Sequence, residues 1–163
     1  MAVESDIDSL PYQDYQLVNI YDDPDSPWRE RVIDLWTRTG ILARDEAVKR
    51  ADQIVLVALD GDDNVAGVST VYVDDFRGPG DRYYFYRLFI APGHRVYGMM
   101  KFMTAMSRDY LRERECRDRP NGVVVITENP KLMRTGIKRE FRRIDFKYAG
   151  RNPKGLDIWI SEF

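Results

Sequence analysis

The sequence predicts an α/β (α+β) fold with a mixed, largely antiparallel central sheet flanked by helices. Three observations carry that prediction. Apolar residues recur at helical spacing in some stretches and run continuously or alternate in others, in the order strand, helices, three strands, helix, strand, helix, two strands. Two apolar runs, Ile54–Leu59 and Val65–Val73, flank the acidic turn Asp60-Gly-Asp-Asp-Asn64, the pattern of a β-hairpin. A helix then separates the third strand of this meander from Val123–Thr127, which makes a β-α-β unit with a parallel strand pair.

Each element has local grounds. Residues 1–14 are polar and read as a tail, and 15–163 read as one domain. Tyr15–Tyr21 alternates as a strand does. Asp22-Asp-Pro-Asp-Ser-Pro27 is turn chemistry, with Pro27 suited to a first helical turn. Trp28, Val32, Leu35 and Trp36 line one face of a helix over Trp28–Thr39, which ends at Gly40. A short helix follows over Asp45–Ala51. After the turn Gly78-Pro-Gly80 comes an aromatic strand, Tyr83–Ile90, and then the strongest helix, Gly98–Arg114. Val123–Thr127 is apolar enough to be buried on both faces. Asn129-Pro130 caps and starts another helix, to about Phe141. The strands Ile144–Tyr148 and Leu156–Ile160 close the chain.

Composition narrows the class. Hydrophobic residues at 44% and charged residues at 32% are the balance of a soluble globular protein. No apolar run approaches the roughly 18–20 residues of a membrane span. Met1–Leu10 is acidic and has neither a basic nor an apolar segment of a secretory signal. The single cysteine, Cys116, forms no internal disulfide, so a cytoplasmic setting is expected. Charge is split: Met1–Asp81 holds 18 acids and 7 bases, whereas Arg82–Lys154 holds 18 bases and 7 acids. Either the basic half meets an anionic partner, or the two halves attract one another.

Leu88-Phe-Ile-Ala-Pro-Gly-His-Arg-Val-Tyr-Gly-Met-Met100 joins a strand end, a glycine loop and the opening of the long helix. A helix start leaves backbone N–H groups unpaired at the positive end of the peptide dipoles. A phosphate satisfies both. Gly98 has no Cβ to obstruct such an anion, and Arg95 adds a charge-assisted bond. The strand order also directs a ligand to the carboxyl ends of the strands, near residues 90–100 and 127–131.

This segment resembles the central motif of the GNAT superfamily of N-acetyltransferases. That motif has a strand with leucine and a β-branched residue, a proline, then Arg/Gln-x-x-Gly-x-Gly/Ala opening a helix. Leu88, Ile90, Pro92, Arg95 and Gly98 fall at matching spacing, and the element order from Trp28 to Ile160 is similar to the family's. The resemblance implies an acyl-CoA N-acyltransferase fold with acetyl-CoA, or another acyl-CoA, as cosubstrate, an amine as acceptor, and no metal. It implies that Phe89 and Ile90 meet the pantetheine arm where the strand splays from its neighbour. Backbone amides of Arg95, Val96, Tyr97, Gly98, Met99 and Met100 then hold the pyrophosphate. Asn129 matches the asparagine that many members use near the pantetheine or the amine. Because coenzyme A carries three phosphate groups, it suffices as the anionic partner of the basic half.

Two positions depart from the pattern. Met100 stands where the motif has glycine or alanine. Gly136 stands where the family's helix usually carries the tyrosine that protonates the departing thiolate, although Lys138 and Phe141 match that helix's lysine and phenylalanine. No tyrosine lies between Tyr110 and Tyr148. Three readings stay open: another group supplies the proton, the thiolate leaves unassisted, or the protein is a catalytically silent acyl-CoA-fold binding module. The motif strand contains no acid, so the candidate general base is Glu128, after the next strand, with Asp74 and Asp75 as alternatives.

Other chemistries lose ground. His94 is the only histidine, which excludes a Ser-His-Asp triad and a histidine-based metal site and assigns His94 to the loop. Cys116 sits among arginines but has no histidine nearby to make it a nucleophile. Met99, Met100, Met103 and Met106, with Phe102 and Tyr110, recur at helical spacing and read as a core face. No Walker loop or dinucleotide fingerprint is present. Lys138, Arg139, Arg142, Arg143 and Lys147 interleave with Phe141 and Phe146. That run fits either a solvated face or a nucleic-acid contact, hence a further alternative in which the acceptor is a nucleic-acid base or a nucleic-acid-bound protein. A monomer or homodimer with no membrane contact is expected.

Overall fold

A computed structural model of the 163-residue chain describes residues 9–94, 98–128 and 135–163. Strands β1 (Ser9–Tyr12) and β2 (Tyr15–Asn19) form a tight hairpin in which Tyr12 faces Tyr15 and Gln13 takes a φ of 52°. Ser9–Tyr12 was expected within the polar tail and is instead a strand. Four residues interrupted by Pro11 carry no legible period, and proline is tolerated here because β1 is the edge of the sheet.

Helix α1 (Trp28–Arg38) buries Val32, Ile33, Leu35 and Trp36, and stops where Gly40 adopts a φ of 73°. Helix α2 (Arg44–Ala51) buries only Ala47 and Ala51. Strands β3 (Ile54–Leu59) and β4 (Val65–Asp75) form the expected hairpin. Its turn is closed by the Asp60 carboxylate, which accepts from the N–H groups of Asn64 and Asp62 at 2.9 Å each; those two bonds hold the Asp60 carboxyl below its ordinary range. The register slips between Ile54 and Val57, and there the Ser69 hydroxyl accepts from the Leu56 N–H at 3.0 Å. A buried donor left outside the ladder is thereby satisfied.

The remaining elements are β5 (Arg82–Ile90), α3 (Met99–Glu113), β6 (Gly122–Ile126), α4 (Thr135–Arg143), β7 (Lys147–Arg151) and β8 (Asp157–Glu162). All eight strands form one sheet in the order β1-β2-β3-β4-β5-β6-β8-β7. β5 and β6 pair in parallel, as the β-α-β unit requires, while β6 with β8 and β7 with β8 are antiparallel. Gly122 to Val125 are buried, as the apolar run predicts. β7 starts later than the apolar residues Ile144 and Phe146 suggest. The N–H groups of both return to the Phe141 carbonyl, and Asp145 between them has a φ of 66°, so this stretch is the end of α4.

The chain packs as two compact units, one of residues up to Thr70 with Leu88–Met103, the other Val71–Arg87 with Thr104–Phe163. In the first, Ile20, Val32, Ile33, Trp36, Ile54 and Val57 make the core of α1, α2 and their strands. In the second, Tyr83, Val124 and Ile160 are buried together, and Phe141 stacks on Trp159 at 5.2 Å. Among the described residues no helix is long and apolar enough to cross a membrane.

Gly122 sits opposite Glu162 at a close approach of β6 and β8; a Cβ there would lie 2.2 Å from the Ser161 carbonyl oxygen. The obstructing atom is backbone, so a strand must move. Gly122→Ala is expected to cost about 1–3 kcal/mol, read as a lower urea midpoint at unchanged m-value. An unchanged midpoint would show that the two strands have slack.

Candidate functional site: the end of β5 and the start of α3

The parallel ladder of β5 and β6 runs from Tyr84↔Val123 to Tyr86↔Val125, yet β5 itself continues to Ile90. On the other edge the pairing persists, with the Ala91 N–H donating to the Ala66 carbonyl at 2.8 Å. Gly67 eases this approach: a Cβ there would sit 3.3 Å from the Phe89 carbonyl oxygen and 3.4 Å from the Met103 sulfur, a tight fit. Phe89 packs against the first unit's core, and the Ile90 side chain lies over Gly67. Met99 and Met103 are fully buried, the core role expected of the methionine stripe, while Met100 is half-buried.

The loop after β5 turns at Pro92-Gly93, where Gly93 has a φ of 88° and the His94 N–H donates to the Ala91 carbonyl at 3.0 Å. His94 Nδ1 is hydrogen-bonded to the Tyr15 hydroxyl at 3.1 Å, and its Nε2 lies 4.0 Å from an Asp60 carboxylate oxygen. The ring thus ties the loop to β2 and to the β3–β4 turn, which is the loop role expected of it.

Gly98 opens α3, its carbonyl accepting the Phe102 N–H at 2.9 Å. Its backbone conformation favours glycine, and the space beside it is occupied. Its φ is 83°, and a Cβ would come within 2.5 Å of the Tyr12 hydroxyl oxygen. Tyr12 reaches this point from β1 and stacks on Phe102 at 4.6 Å. The sequence carried no signal for Tyr12, because its strand owes its existence to pairing with β2.

A family model described as the acetyltransferase (GNAT) family matches residues 15–134, which include this strand, loop and helix. The chain belongs to the GNAT acetyltransferase family. Solved GNAT structures share its fold. The ribosomal-protein-S5-alanine acetyltransferase of Vibrio fischeri superposes with a TM-score of 0.62 at 11% identity, covering 95% of both chains. A GNAT-family acetyltransferase from Listeria monocytogenes gives 0.60 at 12% identity, over 95% of this chain and 99% of that one. The spermidine N-acetyltransferase of Vibrio cholerae gives 0.57 at 13% identity, over 93% and 94%. No curated protein matches the chain.

The other residues singled out from the sequence are distributed as follows. Arg95, Val96, Tyr97 and Asn129 lie outside the described residues. Glu128 is exposed, directly after Thr127, whose N–H and hydroxyl both donate to the Asp157 carbonyl at 3.0 and 3.1 Å. A firmly held strand end therefore precedes it. The alternatives Asp74 and Asp75 are engaged in their own turn, accepting from the N–H groups of Asp75 and Gly80 at 2.8 and 3.2 Å. Gly136 is exposed, and among the described residues nothing lies within 4 Å of where its Cβ would be. Lys138 pairs instead with the fully buried Asp157 at 3.6 Å, and that carboxylate also accepts from Arg151 at 3.1 Å and the Tyr148 hydroxyl at 3.2 Å. Among the described residues no group of three or more His, Cys, Asp or Glu side chains is placed to hold a metal ion.

Proposed function

We propose that this GNAT protein transfers an acetyl, or another short acyl, group from coenzyme A to a primary amine by direct attack on the thioester. One observation carries the reading: the β5–β6 ladder ends at Tyr86↔Val125 while β5 runs on to Ile90 and, through the loop, into α3. Strand groups beyond the end of a ladder suit an extended amide-bearing arm, which gains main-chain hydrogen bonds as an added strand does. Phe89 and Ile90 are the residues assigned to that arm. The opening of α3, Arg95 to Met100, is assigned to the pyrophosphate, and Gly98 fits because it offers no side chain there. The thioester supplies the acyl carbon; the chain supplies position and backbone donors. Glu128 is assigned as the base that takes the amine's proton, with Asn129 beside it.

Glycine at position 136, where the family places a tyrosine, favours a second reading: a module that binds acyl-CoA without turnover. A cytoplasmic setting belongs to both readings. Titration of the purified chain with acetyl-CoA is expected to give calorimetric heat and a raised Tm. Ligand at a hundred times its Kd stabilises by about 2.7 kcal/mol. Absence of both heat and thermal shift at millimolar acetyl-CoA would overturn both readings. Released thiol across polyamines, amino acids, aminoglycosides and peptides marks the enzyme, whereas binding without thiol release across that panel marks the module.

A further inference from the structure

Two tyrosines of one hairpin reach the two ends of the stretch that joins β5 to α3. Tyr12 and Tyr15 face each other across the β1–β2 turn, so their side chains leave the hairpin on the same side. The Tyr15 hydroxyl is hydrogen-bonded to His94 Nδ1 at 3.1 Å, and the two rings meet edge-on at 5.9 Å. The other ring nitrogen of His94 faces an Asp60 carboxylate oxygen at 4.0 Å, which sets the imidazole between β2 and the β3–β4 turn. At the far end the Tyr12 ring stacks on Phe102 at 4.6 Å with 22° between the planes. Its hydroxyl fills the space beside Gly98, 2.5 Å from where a Cβ would stand. Tyr12, Tyr15, His94, Gly98 and Phe102 all belong to the first unit. Tyr12 also lies before residue 15, where the match to the family model begins.

These contacts bear on binding. Backbone N–H groups hold an anion well only when they already point at it. An unheld loop loses conformational entropy as the ligand arrives, and its apparent affinity falls by the fraction of chains in the competent conformation. A hydrogen bond at His94 and an aromatic stack beside Gly98 fix both ends of the stretch before any ligand is present. Ordering done in advance is cost removed from the binding step.

We propose that the β1–β2 hairpin is a clamp that preorganises the pyrophosphate loop, with Tyr12 and Tyr15 as positioning residues for coenzyme binding. Tyr15 acts through His94, and Tyr12 acts through Gly98 and Phe102. The inference rests on the acyl-CoA reading above and adds the part of the chain that shapes its site.

Calorimetric titration with acetyl-CoA tests it, with each variant held well below its own Tm so that folded chain is measured. Tyr15→Phe keeps the ring and loses the hydroxyl, whereas Tyr12→Leu loses the stack. Each is expected to raise the Kd about threefold to tenfold, the range of one hydrogen bond or one aromatic contact. His94→Asn keeps a hydrogen-bonding atom near the Nδ1 position and is expected to bind more tightly than His94→Ala. Side chains that only support the fold would lower the Tm of the unliganded chain and leave every Kd unchanged, a result that overturns the clamp. Tighter binding by Tyr12→Leu overturns it too, since Tyr12 would then obstruct the anion. Tyr15→Phe is the milder change and decides the outcome alone should Tyr12→Leu not fold. A wild-type chain that binds no acetyl-CoA would instead overturn the reading on which the clamp rests.

Discussion

Gly98→Glu is expected to abolish acetyl-CoA binding, seen as loss of both the calorimetric heat and the ligand-induced rise in Tm. Three effects act together. A side chain at a φ of 83° is strained, by about 1–3 kcal/mol for a residue other than glycine. Its Cβ would meet the Tyr12 hydroxyl at 2.5 Å and push that ring from its stack on Phe102. The carboxylate also places negative charge at the helix start assigned to the pyrophosphate. Gly98→Ala separates these effects, because it retains the strain and the crowding without the charge. Pairing Gly98→Ala with Tyr12→Phe, which removes the hydroxyl oxygen, is expected to recover part of the stability lost in the single variant, a positive coupling in a double-mutant cycle. Circular dichroism of Gly98→Glu distinguishes a folded chain that fails to bind from one that fails to fold. A folded Gly98→Glu variant that binds acetyl-CoA as the wild type does would remove the α3 opening from the site.

Arg108→Ala is expected to cost about 3 kcal/mol of folding stability, the lower end of the range for breaking a buried ion pair. Arg108 is buried in α3, yet its guanidinium bonds Asp109 at 2.8 Å, the Ser161 hydroxyl at 3.2 Å and the Ile144 carbonyl, and lies 5.5 Å from the centre of the Phe146 ring. One side chain thus joins α3, the end of α4 and β8. Its removal leaves a carbonyl and a hydroxyl without this donor. Asp109 is 29% exposed and can rehydrate, which keeps the loss at the lower end. Arg108→Lys retains the charge but not the planar fork, so it should fall between Ala and wild type. Urea melts of the three chains give the order directly, and a loss below about 1 kcal/mol for Arg108→Ala would show that water replaces the guanidinium at little cost.

The motif around Gly98 was legible because each of its parts is local. Proline ends a strand, glycine permits a positive φ, and a helix start exposes N–H groups within one turn of its first residue. The Asp60–Asn64 turn and the Gly40 stop of α1 were legible for the same reason. Ile144–Phe146 misled because apolar residues flanking an aspartate suit a strand as well as a helix end. What separated the two was a pair of hydrogen bonds back to Phe141.

By itself the sequence determined the α/β class, the order of elements from β2 onward and the family motif, since periodicity, caps and turn residues act over one to four neighbours. Tertiary structure alone decided which distant groups meet. Pairing with β2 makes β1 a strand and delivers Tyr12 to Gly98. The register of β6 against β8 leaves no room for a Cβ at Gly122. The stacking of Tyr72 on Phe85 places a ring beneath Arg87. Such contacts depend on strand register and helix placement, which the whole chain's packing selects and no short window of residues encodes.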